Sequence, residues 1–353
     1  MKAILLVGGI GTRLRPLTLK TPKPVVPIFD RPFLAYQLEA LAQISEIDEV
    51  ILSLNYQPDR IEDSLRTEKS FPFKIRYVVE PTPLGTAGAV RYAKQYIDDS
   101  ILVFNGDVLA QLDLADVLDK HRQQNARATI VLTQIDDPAA YGLVETDFEG
   151  NVKRFLEKPE SSHIASNTIN AGIYVLESDT LDRIPENTNW SLERSFFPSL
   201  IKNKEKFQAY ISHGYWIDIG TPEKYRQIHW DIMDRQFDVQ PFRSSEINHV
   251  VLSPSANISE AAQFIGPCFI GENVTVESGA KIGPYAVINR NCKIHEGAVL
   301  KHSIIWPHTE IGSRTVLRHL IIGHACKIGN DIEPKEGTII EDESSIGGPS
   351  ITF

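Results

Sequence analysis

The chain has 353 residues, 42 % hydrophobic and 23 % charged, with 36 Lys and Arg against 46 Asp and Glu. That length suits two domains rather than one, and the balance is that of a globular protein. The formal net charge of −10 argues against nucleic acid as the main partner, which needs a basic face, yet a local cluster of Arg and Lys can still hold a small anion.

The first apolar run, Ala3–Val7, reads as a strand. It is too short for a signal-peptide core, and no run in the chain has the length to span a bilayer. A cytoplasmic protein without a membrane partner is therefore expected. Further strands are expected at Glu49–Leu54, Lys74–Val79, Ile101–Phe104, Thr129–Thr133 and Ile173–Leu176, with helices at Phe33–Ile44, Arg60–Glu68, Thr86–Tyr96 and Leu114–Gln124. Short apolar strands alternating with amphipathic helices predict an α/β domain with a Rossmann-like, mostly parallel sheet covered on both faces. Ligands of such sheets bind at the carboxyl ends of the strands. The unusual stretches fall there: "GGIGTR" after the first strand, "EPTPLGTAGA" after the third and "NGD" after the fourth.

Near residue 235 the texture changes. The stretch "DVQPFRSSEINH" has no periodicity and reads as a linker. The expected organisation is a domain over 1–235, a linker over 236–250 and a second domain over 251–353. Beyond Leu252 every sixth residue through Leu300 is aliphatic or Phe: Leu252, Ile258, Phe264, Ile270, Val276, Ile282, Ile288, Ile294 and Leu300. Four residues after each comes a mostly small side chain, from Ala256 to Ile304. The phase slips by one at Ile305 and again at Ile322. Hexapeptide periodicity of this kind predicts a left-handed parallel β-helix, in which each six residues make a short strand and a corner, and stacked coils share one core. An apolar coil end must be capped or paired, so a homo-oligomer is expected.

Cys268, Cys292 and Cys326 all occupy the small inward position. They read as core packing rather than as nucleophiles, and they form no disulfide framework. His295, His302, His308, His319 and His324 show no metal-ligand spacing and read as surface residues of the coil. Trp190, Trp216 and Trp230 read as core aromatics.

The first loop carries the chemistry. Gly9-Ile10-Gly11-Thr12-Arg13 lacks the third glycine of the dinucleotide fingerprint, and no Lys-Ser or Lys-Thr follows to make a P-loop. Arg13, Arg15, Lys20 and Lys23 nevertheless gather around the glycines, and Pro22 and Pro24 stiffen the segment that carries Lys23. Cations converging on a glycine turn suit a polyanion such as a triphosphate; a tight turn with solvated charges is the alternative. Asp107 ends a strand and Asp218 lies in "YWIDIGTP". Two carboxylates with phosphate oxygens and water suit Mg²⁺, although each alone could be a cap.

The motifs "VGGIGTRLRPLTLKTPKP", "EPTPLGTAGA", "NGD", "YG", "EKP", "NAGIY" and "WIDIGTPEKY" occur in the order and spacing of the nucleoside-diphosphate-sugar pyrophosphorylases. The chain resembles that family over essentially its whole length, including a hexapeptide-repeat C-terminal domain. "PLGTAGA" and "SNTINAGIYVL" are most similar to the mannose-1-phosphate guanylyltransferase branch. The resemblance implies a nucleotidyltransferase with Mg²⁺, a nucleoside triphosphate (GTP in that branch) and a sugar-1-phosphate.

It also implies roles. Val7, Gly8, Gly9, Gly11, Thr12 and Arg13 would cradle the nucleotide phosphates, with Arg13 and Lys23 on the departing pyrophosphate. Glu80, Pro83, Leu84 and Gly85 would line the base pocket. Asp107 and Asp218 would hold the metal. Gly142, Glu157, Asn170 and Gly172 would contact the sugar, and Lys158 the sugar phosphate. Val7 stands where many family members have Ala. A thymidylyl-, uridylyl- or adenylyltransferase, a non-catalytic subunit that binds a nucleotide sugar, and an acyltransferase activity of the coil remain alternatives at this point.

Overall fold

A computed structural model of the chain describes residues 1–135, 138, 141–157, 167–243 and 249–347. Internal contacts group Met1–Ile10 with Leu34–Asp218, and Gly11–Phe33 with Ile219–Phe353.

In chain order the strands are β1 (Lys2–Leu6), a short hairpin of β2 (Pro27–Ile28) and β3 (Arg31–Pro32), then β4 (Glu49–Leu54), β5 (Lys74–Val79), β6 (Ile101–Asn105) and β7 (Val108–Ala110). They continue with β8 (Ala128–Gln134), β9 (Gly142–Thr146), β10 (Val152–Glu157), β11 (Thr168–Leu176), β12 (Phe207–Ser212) and β13 (Trp216–Asp218). The helices are α1 (Phe33–Leu41), α2 (Pro58–Arg66), α3 (Gly85–Tyr92), α4 (Leu114–Gln123), α5 (Phe197–Lys202) and α6 (Pro222–Met233).

The first unit holds a nine-stranded sheet in the order β10-β9-β11-β6-β1-β4-β5, with β8 against β11 and β12 beyond β8. The β6-β1-β4-β5 half is parallel, and β11 runs antiparallel to β6 and β8. The parallel strands β1, β4 and β6 are buried along nearly their whole length, which is why they read as unbroken apolar runs. Helix α4 shows the local logic. Asp113 caps it by accepting from the Asp116 N–H at 3.0 Å, and Leu114, Val117, Leu118 and His121 make one buried stripe. Helix α1 stops at Leu41, short of the expected Ile44, and the expected Thr86–Tyr96 helix divides into α3 and a 3₁₀ turn over Ala93–Tyr96. Among the described residues strands β7 and β13, three residues each, pair only with one another. Three residues are too few for a period to show.

The second unit contains three sheets of short parallel strands, consistent with the expected left-handed β-helix. Val250 pairs with Cys268, Asn257 with Thr275 and Gln263 with Lys281, each eighteen positions on, which is three hexapeptides. At Val287–Ile304 and Ile304–Ile321 the step is seventeen. The phase slip in the sequence is thus one residue removed from a corner, with the inward side chains kept in register. Ile270, Val276, Ile282, Ile288 and Ile294 stack with Cys268, Ala280, Ala286, Cys292 and Cys326 in one buried core. Burial pushes the thiols of Cys268 and Cys292 up to about 12, as packing rather than nucleophilic cysteines require.

Two sequence expectations change here. His295, His302, His319 and His324 are half-buried and not plain surface residues; the rings of His302 and His319 lie 4.5 Å apart, and Trp230 of α6 packs on both. Burial, together with His319, holds the His302 pKa below its ordinary value. Trp190, Trp216 and Trp230 are only half-buried, and the fully buried tryptophan is Trp306. Its indole Nε1–H donates to the Tyr225 hydroxyl at 2.8 Å, which removes the cost of burying that polar edge. In the stretch that read as a linker, Phe242 is buried and its ring lies 5.4 Å from that of Phe29.

Candidate active site

The glycines after β1 differ from one another. At Gly8 a Cβ would stand 3.2 Å from Asn55, whereas at Gly9 it would meet nothing within 4 Å. Gly9 therefore presents bare backbone to open space. In the same unit Gly106 N–H donates to Leu6 O at 3.0 Å, and a Cβ on Gly106 would lie 2.4 Å from that oxygen and 2.7 Å from Val7. The turn carrying Asp107 is thus pressed against the end of β1, which explains the glycine in "NGD".

Asp218 reaches the same turn by pairing. In the β7–β13 ladder Asp218 stands directly opposite Val108, the neighbour of Asp107. Two residues more than a hundred apart in sequence are therefore brought to one turn. The Tyr141 hydroxyl lies 3.5 Å from Asp218 Oδ1, and Trp216 Nε1–H donates to Ala171 O at 2.9 Å, which ties β13 to β11. Asn105 Oδ1, two residues before Asp107, is buried without a hydrogen-bond partner. Among the described residues there is no cluster of three or more His, Cys, Asp or Glu able to hold a metal. The carboxylates of Asp107 and Asp218 offer oxygen donors only. Such a set fits a hard divalent ion completed by phosphate and water, and does not fit a structural zinc site.

Glu80 sits at the end of β5, 8 % exposed. Its Oε1 accepts from the Ser53 hydroxyl at 2.9 Å and its Oε2 from the Leu84 N–H at 2.9 Å. The carboxylate shapes the "PTPLG" turn from inside. Asn189 Nδ2 donates to Pro83 O at 3.0 Å, Trp190 N–H donates to Leu84 O at 2.8 Å, and Trp190 O accepts from Ala87 N–H. Gly85 has φ +70°, and a Cβ there would lie 2.7 Å from Trp190 O. Both the conformation and the close approach require glycine.

The residues assigned to the sugar gather on β9, β10 and β11. Gly142 is opposite Glu157 in the β9–β10 ladder, and Ile169, beside Asn170, is opposite Leu143. Gly172 has φ +75° at an irregularity in β11, where a Cβ would press on Asn105 at 2.9 Å. Asn170 is braced at both ends: its Oδ1 accepts from Gly172 N–H and its Nδ2 donates to the Tyr174 hydroxyl, each at 2.9 Å. Behind it Tyr174 reaches Glu193 at 3.4 Å, and Glu193 accepts from Thr86 and Ser191. Burial first, and the Glu193 charge second, keep the Tyr174 hydroxyl protonated well past its ordinary range. Tyr174 and Thr86 stand in the "NAGIY" and "EPTPLGTAGA" stretches, but Glu193, which joins them, lies in no motif. Lys158 lies outside the described residues.

Gly11, Thr12, Arg13 and Lys23 belong to the second unit. Gly11 has φ +70° and caps a 3₁₀ turn over Thr12–Leu14. Thr18 Oγ1–H donates to Gly11 O at 2.7 Å, and a Cβ on Gly11 would lie 3.0 Å from Lys23 Cβ, so the two ends of the loop touch. Lys23 is 8 % exposed. The Arg13 guanidinium lies flat against Gly220, two residues after Asp218 in the chain, where a Cβ would stand 2.8 Å from its nitrogen.

Comparison with known proteins bears on this arrangement. The nucleotidyl transferase family matches residues 2–235, and the GMPPB C-terminal domain family matches residues 264–349. The chain belongs to the nucleotidyl transferase family. Mannose-1-phosphate guanylyltransferase of Mycobacterium tuberculosis is 38 % identical over 85 % of this transferase and 82 % of its own length. Mannose-1-phosphate guanylyltransferase 1 of Arabidopsis thaliana is 34 % identical over the full length of both. Among solved structures, HddC from Yersinia pseudotuberculosis is 31 % identical and covers 65 % of the transferase and 99 % of itself, with a TM-score of 0.57; it has also been solved complexed with GMP-PN. No helix among the described residues of the transferase is long and apolar enough to cross a membrane.

Proposed function

We propose that the transferase converts mannose-1-phosphate and GTP into GDP-mannose and pyrophosphate. The choice of base and sugar is supported by full-length likeness to the mannose-1-phosphate guanylyltransferases. The observation that carries the chemistry is the β7–β13 pairing, which sets Asp218 beside the Asp107 turn.

A phosphate oxygen of the sugar phosphate attacks the α-phosphorus of GTP. The bond from that phosphorus to the β-phosphate oxygen breaks, and pyrophosphate leaves with its electron pair. The nucleophile is already ionised at neutral pH, so no general base is required. The obstacle is repulsion between two anions. Asp107 and Asp218 would hold Mg²⁺, which neutralises phosphate charge when bound. Arg13 and Lys23 bind and orient the departing phosphates, and the open backbone of Gly9 admits the nucleotide. Glu80 holds the base-side turn in shape through Leu84, and Asn170, fixed by Tyr174 and Gly172, orients the sugar. Lys158 would neutralise the attacking phosphate. Three free buried cysteines suit a reducing compartment, so the reading keeps the enzyme in the cytoplasm. Leu252 and Ile265, 44 % and 57 % exposed, support pairing of the coil with a second copy.

A panel of nucleoside triphosphates against sugar-1-phosphates, read by pyrophosphate release, tests the reading. The GTP and mannose-1-phosphate pair should have the highest kcat/KM. A higher value for another pair overturns the assignment, and a protein that binds GDP-mannose without turnover overturns catalysis.

A further inference from the structure

We propose that Asp342, on the last coil of the β-helix, positions the nucleotide loop by holding Thr21. The inference rests on the proposed role of Arg13 and Lys23 in holding the phosphates.

The loop has little structure of its own. Between Gly11 and Val26 it forms two 3₁₀ turns of three residues, Thr12–Leu14 and Lys23–Val25. Short turns of this kind do not hold a conformation in isolation. Beyond the Thr18–Gly11 bond, its order comes from the rest of the second unit, to which it belongs. Thr21 is 6 % exposed and Asp342 is 7 % exposed. The Thr21 hydroxyl donates to Asp342 Oδ2 at 2.8 Å, while Asp342 Oδ1 accepts from His324 N–H at 2.8 Å. A Cβ on Gly323 would lie 2.3 Å from that Oδ1, so the carboxylate is seated closely in the coil below. One side chain therefore ties the loop to two coils at once.

Thr21 is two residues before Lys23, and the link between them is Pro22, whose ring fixes φ at −56°. Fixing Thr21 thus fixes the direction in which Lys23 leaves the coil. Next to this bond Lys20 Nζ lies 2.6 Å from Glu343 Oε2, but both side chains are largely exposed, at 45 % and 66 %. A screened pair of that kind contributes little. The buried bond of Asp342 is the one that matters, because a hydrogen bond to a carboxylate away from water is stronger and its loss leaves a buried group unpaired. No step of the proposed chemistry needs a carboxylate at 342. Its position is explained by the loop it holds.

The expected kinetics follow from population. If the loop is competent only part of the time, the apparent affinity for nucleotide falls by that fraction, while saturating nucleotide restores the ordered loop. Asp342→Ala should therefore raise KM for GTP by about 10- to 100-fold, with kcat and the KM for mannose-1-phosphate close to wild type. Thr21→Val should repeat the effect, Thr21→Ser should not, and the Thr21→Val/Asp342→Ala double variant should be no worse than either single one. A merely structural role would lower the folded fraction, and so kcat, without moving KM. Hydrogen exchange on the full ligand-free chain supplies the second readout: amides of residues 12–20 should exchange faster in Asp342→Ala, with the core strands unchanged. An unchanged KM for GTP in Asp342→Ala, or unchanged loop exchange, overturns the proposal. If the wild type does not turn over GTP and mannose-1-phosphate, the proposed function fails by itself and the exchange measurement still decides the role of Asp342.

Discussion

Replacing Gly9 by Ala separates folding from chemistry in this protein. A methyl group at Gly9 would meet nothing within 4 Å, and Gly9 is not among the glycines with positive φ. The substitution should therefore leave stability unchanged or raise it by about 0.4–1 kcal/mol, because Ala loses less backbone freedom on folding. Activity should behave differently. If the phosphates of the nucleotide lie on the Gly9 backbone, the methyl displaces them by about 1 Å, and a displacement of that size costs about 10²-fold in rate. That loss corresponds to about 2.7 kcal/mol of transition-state stabilisation. Gly106→Ala is the contrasting case, since its methyl would stand 2.4 Å from Leu6 O and must push the Asp107 turn off β1. It should cost about 1–3 kcal/mol of stability as well as activity. Thermal melting and pyrophosphate release on both variants test the pair. A Gly9→Ala enzyme with wild-type kcat/KM refutes the open-backbone reading of the loop, whatever its melting temperature.

Other outcomes follow from the same geometry. Asp107→Asn and Asp218→Asn should each lower kcat by about 10²–10³-fold and raise the Mg²⁺ concentration for half-maximal rate; retained activity at low Mg²⁺ would exclude the carboxylate pair as the metal site. Glu80→Ala strips partners from the Ser53 hydroxyl and the Leu84 N–H, so it should destabilise by about 1–3 kcal/mol and raise KM for GTP, and a change in stability alone would remove Glu80 from the base-side turn. Asp30 accepts from the backbone N–H of Arg290 and Glu272, and burial pushes its pKa up to about 6 from 3.8. A raised acid stabilises the fold below pH 3.8, and that contribution is lost as pH rises through 6. The stability of Asp30→Asn relative to wild type should thus improve between pH 3 and pH 7, by up to about 3 kcal/mol; urea midpoints that shift in parallel would show that Asp30 does not titrate. The three buried thiols should react with a thiol reagent only after unfolding, and rapid labelling of the native protein would contradict their place in the coil core.

What could be read from the chain alone was whatever repeats or concentrates locally. The hexapeptide period shows because every coil meets the same geometry, so each inward position makes the same demand on side-chain size, and even the one-residue slip at Ile305 is a countable feature. The buried parallel strands show because two covered faces leave no room for polar residues. The glycine turns show because close backbone approach excludes a Cβ, as at Gly85 and Gly106.

Tertiary structure alone decided how distant residues meet. Three-residue strands carry no period, so the placement of Asp218 opposite Val108 could be seen only once β7 and β13 had paired. Tyr174 meets Glu193 through a contact between separate elements, with no fixed spacing to announce it. The grouping of Gly11–Phe33 with the β-helix has the same cause. A hydrogen bond from Thr21 to Asp342 links residues at opposite ends of the chain, and neither residue type is unusual where it stands. Local sequence records what each segment needs from its own backbone, and the choice of partner for a lone hydroxyl or carboxylate depends on the whole fold.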